Sequence, residues 1–358
     1  MITSRSKALI AAFLLLPSCW TGALRSIPET NSPYDALPSL ALEHLAEARG
    51  HLAAGDPAAA CSVLSVLAAE FPQNVPVGIC NQEAQIALAK ERGEAADLRE
   101  AYRKRAEEDS SVANLVLAAR VEPDSDKAVL LLDRAEKLDP HCAWPSYGKA
   151  WLAARAGDWK EVRDRIARAK AADPGHMPTV WLETWMLARE GGLPQAITSL
   201  TTWADRARDD PRIDPRLVLA ADLDRALLAV LGSDPKLARN ILADLKDTTI
   251  DPARRKTIEA GAEQELGDGP AALASASEAA RLNSEDLLPV VQQALLHEVW
   301  LGDPRSAEAY WKRALEVSRA DPALSSLLER VRARVRLERI VQARGTDSRG
   351  ATEPDSVR

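Results

Sequence analysis

Residues 150–174 read AWLAARAGDWKEVRDRIARAKAADP, and they contain two helical segments that meet at one turn. The first segment is rich in alanine and leucine, and it stops at Gly157, which can adopt the left-handed conformation that ends many helices. Asp158 follows, and its short carboxylate can accept hydrogen bonds from the free amides of a new first turn. The stretch therefore predicts a helix, a tight turn and a second helix.

The second helix of this stretch has one small apolar face and a defined end. Val162, Ile166 and Ala169 are spaced by four and three residues, which places them on the same side of a helix. Asp173-Pro174 ends the helix, because proline disfavours helical geometry at the preceding residue and lacks an amide hydrogen. Small residues on the shared face predict close packing against a neighbouring helix.

The same kind of turn recurs along the chain at spacings of 38, 30, 34, 34, 41, 35 and 35 residues. A period in this range is typical of repeats that each need their neighbours to bury an apolar face. The turns are centred on Gly55-Asp56, Gly93-Glu94, Pro123-Asp124, Gly157-Asp158, Gly191-Gly192, Gly232-Ser233, Gly267-Asp268 and Gly302-Asp303.

Equivalent second-helix positions in other segments also hold small, aliphatic or aromatic residues. They are Ala128, Leu132 and Ala135 before Asp139-Pro140, and Ala307, Trp311 and Ala314 before Asp321-Pro322. In these residues the chain resembles the tetratricopeptide repeat family. The resemblance implies an all-α fold, a right-handed α-solenoid of about seven to eight helix-turn-helix repeats over residues 39–322, and a role in binding other proteins.

Composition and charge argue against nucleic-acid binding. Aromatic residues make up only 4% of the chain, and the formal net charge is -7, from 46 basic and 53 acidic residues. No stretch combines clustered Lys and Arg with aromatic residues, so the sequence offers no nucleic-acid-binding surface.

The first 18 residues have the pattern of a secretory signal peptide. Arg5 and Lys7 precede the apolar run of residues 8–16, which is too short to cross a bilayer. The sequence Leu16-Pro17-Ser18-Cys19 resembles the bacterial lipobox, and this implies a lipoprotein acylated at Cys19, with residues 1–18 removed. The alternative is an ordinary signal peptide followed by an incidental thiol.

A lipidated Cys19 would hold the chain on a bacterial membrane, in the cell envelope and facing the periplasm. Trp20 is not an acidic residue of the kind that retains some lipoproteins at the inner membrane, which favours the outer membrane. Residues 19–38 contain three prolines and no helical period, and they predict a tether between the lipid and the solenoid.

The C-terminal region divides into a helix and a tail. Residues 323–344 form a predicted amphipathic helix with several arginines, which suits either a membrane surface or the polar-faced cap that a repeat stack needs, and we favour the cap. Residues 345–358 are polar, and we expect them to be disordered.

Three cysteines follow Cys19. Cys61 and Cys80 flank the predicted end of the first repeat, so a disulfide between them is possible in an oxidising periplasm. Buried free thiols explain the same residues.

No catalytic set is evident. The five histidines, His44, His51, His141, His176 and His297, are scattered, and none has a metal-ligand spacing. The chain also lacks a phosphate-binding glycine loop and a nucleophile elbow. We therefore expect no enzyme activity, no metal and no cofactor.

One constellation suggests a binding site. Two triplets share the same spacing of four residues and lie 34 residues apart: Tyr147, Trp151 and Arg155, and then Trp181, Trp185 and Arg189. The family resemblance implies that first helices line the concave side, where aromatic rings beside arginine would suit an extended peptide or a terminal carboxylate. The alternative is that the tryptophans are packing residues between helices.

These observations predict a non-catalytic interaction scaffold or assembly adaptor, lipid-anchored in the bacterial cell envelope, which docks another envelope protein or peptide segment. A pilotin-like role or a role in assembling an envelope complex is consistent with that architecture. The alternative is an accessory or regulatory subunit of a peptidoglycan- or glycan-processing enzyme. It would bind glycan through the segment from Trp144 to Trp203, which holds six of the nine tryptophans.

Overall fold

The computed structural model describes residues 34–35, 37–53, 55–210, 213, 215–245, 251–283, 286–320, 325–326 and 328–337. The predicted signal peptide, the lipidation site Cys19, the predicted tail over residues 345–358 and most of the predicted tether lie outside these residues. The chain divides into two compact units between Ala221 and Asp222, and each is described by itself.

The first unit consists of consecutive helix pairs. Its helices are α1 (Ser39–Ala53), α2 (Pro57–Glu70), α3 (Val75–Arg92), α4 (Ala95–Glu108), α5 (Val112–Val121), α6 (Ser125–Leu138), α7 (Ala143–Ala156), α8 (Trp159–Ala172), α9 (Met177–Arg189), α10 (Leu193–Arg208) and the beginning of α11 (Pro215–Leu231).

The second unit continues the same pattern. It contains the rest of α11, α12 (Pro235–Asp244), α13 (Pro252–Leu266), α14 (Gly269–Leu282), α15 (Leu287–Leu295) and α16 (Pro304–Val317). A π-helical turn, Leu296–Trp300, extends α15. A further helical stretch includes residues 325–326 and 328–337. The described residues contain no β-strand, so the all-α fold predicted from the sequence is confirmed.

The turns form as the sequence predicts. Gly157 has a φ of 78° and ends α7 in the left-handed conformation. The carboxylate of Asp158 accepts a hydrogen bond of 3.1 Å from the amide of Glu161, in the first turn of α8. The same capping by an aspartate opens five other second helices, at Asp56, Asp124, Asp234, Asp268 and Asp303.

Within the first unit, neighbouring first helices touch each other in the order α1, α3, α5, α7 and α9, and each second helix packs on its own first helix. Small residues permit this close approach. A Cβ atom added to Gly148 on α7 would stand 3.0 Å from the side chain of Leu132 on α6. Ala128 and Ala135 flank Leu132 on the buried face of α6, in agreement with the predicted repeat positions.

The apolar interior is continuous across neighbouring repeats. One cluster joins α1, α2 and α3, and another extends from α3 to α7. In the second unit, a cluster around the fully buried Trp311 joins α15, α16 and the last helical stretch, to which Leu328, Val331 and Val335 contribute. The described part of the predicted capping helix therefore packs its apolar face on α16.

Three residues before α1 also pack on the first unit, and we call Tyr34, Asp35 and Leu37 the N-terminal strap. Leu37 is buried in the cluster of α1, α2 and α3. The hydroxyl of Tyr34 donates a 2.9 Å hydrogen bond to Asp139, and its carbonyl accepts one of 2.9 Å from the amide of Val75. The residues at this end of the predicted tether therefore belong to the folded unit.

Candidate partner-binding groove

A groove with a volume of about 270 Å³ lies between α5 and α7, and we call it the α5–α7 groove. Val116 and Ala119 line it from α5, and Leu152 lines it from α7. The aromatic part of its lining is supplied by Trp144, Tyr147 and Trp151, and its charged residues are Glu83, Arg120, Glu122 and Arg155. It thus combines an apolar floor with groups of both charges.

The first predicted triplet faces this groove because its members are one helical turn apart. Tyr147 and Trp151 are partly buried, and Arg155 is exposed at the C-terminal end of α7. Gly148, next to Tyr147, has no side chain, so Leu132 can pack against the helix at that point. The structure therefore brings Tyr147, Trp151 and Arg155 together, as the spacing predicts.

Tyr147 supplies a hydrogen-bond donor. Burial raises the pKa of Tyr147 to about 12, and the opposite charges of Arg120 and Glu83 act on the same hydroxyl. Tyr147 therefore keeps its proton at neutral pH. Among the described residues its hydroxyl has no hydrogen-bond partner, so it can donate to a carbonyl or a carboxylate of a ligand.

The two arginines of the groove differ in their partners. Arg120 donates to Gln82 Oε1 over 3.0 Å and to Glu83 Oε1 over 3.3 Å, so its charge is used within the chain. Within the described part of the chain, Arg155 makes no hydrogen bond and no ion pair. Arg155 is therefore the cation that a bound group can reach.

The two tryptophans of the second predicted triplet are covered by other aromatic residues, whereas Arg189 is exposed. Trp181 is 2% exposed and Trp185 is 8% exposed. The ring of Trp185 meets that of Trp159 edge-on at 5.1 Å, and the guanidinium of Arg189 lies 4.4 Å from the centre of the Trp159 ring. These contacts agree with the packing alternative for Trp181 and Trp185, and they leave little ring surface for a partner.

One residue distinguishes the surroundings of Trp185 from those of Trp151. Trp159 opens α8 and packs against Trp185 in the next first helix, which is 26 residues further along the chain. The residue 26 positions before Trp151 is Ser125, which opens α6. Serine has no ring to cover Trp151, so Trp151 stays partly accessible. A tryptophan or a serine at this position is a signal that sequence reasoning missed.

A second, larger cleft of about 890 Å³ lies between α8 and α10, with α9 behind it. Its lining mixes polar and apolar residues. Lys170 Nζ is 2.7 Å from both carboxylate oxygens of Glu183, and Ser199 donates to the same carboxylate over 3.0 Å. Lys170 and Glu183 are therefore paired with each other, whereas the exposed Arg206 of the same cleft has no ion pair among the described residues.

The predicted cysteine pair lies in one apolar cluster. Cys61 on α2 and Cys80 on α3 both contribute to the cluster of the first three helices, and the structure records no disulfide between them. Burial raises the pKa of Cys61, which disfavours a reactive thiolate. The disulfide between the two residues stays a prediction.

The described residues contain neither a candidate metal cluster nor a helix able to span a membrane. No cluster of three or more His, Cys, Asp and Glu side chains there has the geometry to hold a metal ion. No helix there is long and apolar enough to cross a membrane.

Comparisons with known proteins agree with the helical repeat fold. No protein-family model matches the chain, and none of the curated proteins compared with it is detectably similar in sequence. Among solved structures, Cut9 in the APC/C hetero-tetramer Cut9–Hcn1 is similar, with a TM-score of 0.53 and 17% identity over 80% of this chain. The matched region spans 55% of Cut9.

Two other structures cover more of the chain. Yeast Tom70 has a TM-score of 0.50 and 15% identity, over 94% of this chain and 72% of its own. A monomeric mutant of IFIT1, solved with Gppp-AAAA, has a TM-score of 0.53 and 11% identity, over 92% of this chain and 76% of its own. At these identities the similarity shows the fold alone.

Cut9 and Tom70 are tetratricopeptide-repeat proteins, and the chain accordingly has a tetratricopeptide-repeat-like fold.

Proposed function

We propose that this chain is a non-catalytic interaction protein whose α5–α7 groove holds a short extended segment of a protein partner. The observation that carries the proposal is the difference between the two triplets. Trp159 packs against Trp185 and contacts the guanidinium of the exposed Arg189, whereas Ser125 has no ring to contact Trp151 or Arg155 beside Tyr147. An uncovered aromatic ring beside an unpaired arginine is a common composition of binding hot spots.

The groove defines the chemistry of the segment. A volume of about 270 Å³ is at the lower limit of small-molecule sites, so it suits one large side chain and the adjoining backbone. Trp151 and Val116 favour an apolar side chain. Tyr147 offers a donor for a backbone carbonyl, and Arg155 offers a charged partner for an acidic side chain or a terminal carboxylate. The partner segment is therefore an apolar residue close to a carboxylate.

The proposed location is the bacterial cell envelope, where acylation of Cys19 would hold the chain on a membrane, the outer membrane in preference to the inner. The support is the sequence Leu16-Pro17-Ser18-Cys19 after a short apolar run. A pilotin-like or envelope-assembly role would place the partner in the same compartment. Replacing Cys19 with serine and labelling cells with an alkyne fatty acid tests the anchor: label retained on the variant contradicts it.

Binding of glycan through the tryptophan-rich segment is less well supported. Trp144, Trp181, Trp185 and Trp203 are all buried, so few ring faces remain for stacking on sugars. Glycan binding is therefore the alternative that the binding measurements must distinguish from peptide binding.

The test measures binding of the protein to an immobilised library of short peptides, followed by affinity measurements with the best binders. We expect Trp151→Ala and Arg155→Ala each to weaken binding by at least about tenfold. Trp300→Ala removes an exposed tryptophan in the second unit, and Arg168→Ala removes an exposed arginine on α8, so both serve as matched controls.

Three results would count against the proposal. Equal losses in the groove variants and their controls would show that the groove is not the site. Selection of peptides that lack both an apolar residue and a carboxylate would contradict its chemistry. Binding of soluble peptidoglycan fragments that depends on Trp151, with no peptide selected, would favour the glycan alternative.

A further inference from the structure

We propose that the N-terminal strap is a latch that holds the α5–α7 groove in its binding conformation, so that release of the strap weakens binding at the groove. The inference has a structural half, that the strap fixes the positions of the groove residues, and a binding half, that this raises the affinity of the groove. The binding half rests on the proposed function. The structural half concerns only contacts within the first unit.

The strap is unusual because it makes contacts far along a repeat array. In stacked repeats each unit normally contacts its neighbours only. Tyr34 nevertheless donates a hydrogen bond to Asp139, 105 residues away, and Asp35 accepts one from the indole of Trp144, 109 residues away. The strap therefore joins the beginning of the first repeat directly to the turn between α6 and α7.

The contact between Asp35 and Trp144 is buried on both sides. Asp35 is 2% exposed and Trp144 is 3% exposed, and Trp144 Nε1 lies 2.7 Å from Asp35 Oδ1. A short hydrogen bond to a carboxylate is among the stronger kinds in proteins. Without Asp35, the indole N–H would be buried with no hydrogen-bond partner. The free-energy cost of that unpaired group would destabilise the present position of the ring.

Trp144 connects the strap to the groove. It lines the groove itself, and its ring meets the ring of Tyr147 edge-on at 5.8 Å. On another side it meets the ring of His176 edge-on at 4.6 Å, and His176 also contacts Tyr147. The three rings pack as one group, so a change in the position of Trp144 must displace Tyr147.

The consequence is preorganisation. A binding site that is already held in its bound form does not have to lose conformational freedom when the ligand arrives. With the strap docked, Tyr147 and Trp151 keep their places on α7. With the strap released, part of the binding free energy must restore them, and the observed affinity falls.

The variants for the test are Asp35→Ala, Asp35→Asn and, as a matched control, Asp164→Asn. The side-chain oxygen of asparagine can still accept from Trp144, so Asp35→Asn should restore part of what Asp35→Ala loses. Asp164 is exposed on α8 and lies outside the groove and the strap. All three variants are made in the full chain.

The structural half is measured without any ligand. Hydrogen exchange at the start of α7 should become at least about tenfold faster in Asp35→Ala, less so in Asp35→Asn, and unchanged in Asp164→Asn. In fluorotryptophan-labelled protein, the resonances of Trp144 and Trp151, each assigned by its Trp→Phe variant, should both shift in Asp35→Ala. An unchanged Trp151 resonance overturns the latch, whether or not any peptide binds.

The binding half uses a peptide selected on the wild-type protein. We expect Asp35→Ala to weaken its binding by about tenfold, with the loss partly recovered in Asp35→Asn. Faster exchange at α7 with unchanged affinity would show that the strap is only structural, and would overturn the latch while leaving the groove in place. If the wild-type protein selects no peptide, the proposed function fails, and the Trp151 resonance alone decides whether the strap controls the groove.

Discussion

The two units close their terminal repeats in different ways. In the first unit, the strap reaches residues more than 100 positions away through buried hydrogen bonds. In the second unit, a helix adjacent in sequence covers α16 with Leu328, Val331 and Val335, and its arginines pair with Glu308. A neighbouring helix can cover an apolar face, whereas a few polar contacts can fix one distant side chain in place.

The tryptophans of the two units show the same contrast. Trp311 is fully buried in the second unit, and among the described residues its indole N–H has no hydrogen-bond partner. Trp144 in the first unit donates its N–H to Asp35. Trp311 therefore contributes through its volume, and Trp144 contributes through both its volume and its polar atom.

The largest effect should come from Trp311→Ala. Removing a fully buried indole leaves a cavity beneath the last helix, which should cost about 3–5 kcal/mol of unfolding free energy. Urea unfolding measures the loss, and hydrogen exchange should show that the loss is limited to the second unit. Trp311→Phe is the control: it keeps most of the volume and forfeits no hydrogen bond, so it should cost much less. Similar losses for both variants would contradict a role through volume.

Acid should destabilise the first unit more than the second unit. Burial lowers the pKa of His176 to about 3, below the value of about 6.5 in an unfolded chain. The unfolded chain then binds a proton that the folded chain excludes. The stability due to neutral His176 is complete above pH 6.5 and is lost as pH falls towards 3, by about 1.4 kcal/mol per pH unit.

Hydrogen exchange of the first unit between pH 6.5 and 4.5, corrected for the intrinsic rates, measures this loss. His176→Phe should flatten the slope, because it removes the group that titrates. If the stability of His176→Phe still falls with pH at the same slope, a group other than His176 causes the loss. The difference in acid stability between the two units would then not be due to His176.

The smallest effect should come from Glu308→Gln in the second unit. Hydrogen bonds from Arg336, together with the charges of Arg332 and Arg336, lower the pKa of Glu308, although partial burial opposes this. All three side chains remain partly open to water, so the loss should be about 1 kcal/mol or less at low salt. Denaturation at low and high salt measures it, and the difference between Glu308→Gln and wild type should shrink as salt rises. An effect that does not depend on salt would contradict an electrostatic contact.

The sequence predicts the repeats well because their signals are local. Gly157 ends α7 and Asp158 begins α8 as expected, since each conformation depends on residues within one turn. The binding surface is harder to predict. The two triplets have the same spacing, and a residue 26 positions before the middle tryptophan, Ser125 or Trp159, decides whether that tryptophan is covered by a ring. Asp35 gives no local signal at all, because its partner is 109 residues away.

The strap also has a consequence for the order of folding. Helix pairs in a repeat array can fold one after another as the chain is synthesised, since each pair needs only its neighbour. Tyr34 and Asp35 are made before all of these helices, yet Asp139 and Trp144 must be in place before the strap can dock. The entropy of closing so long a loop must be overcome in that step. The N-terminal end of the first unit is synthesised first, but it is therefore the last part of the unit to complete its fold.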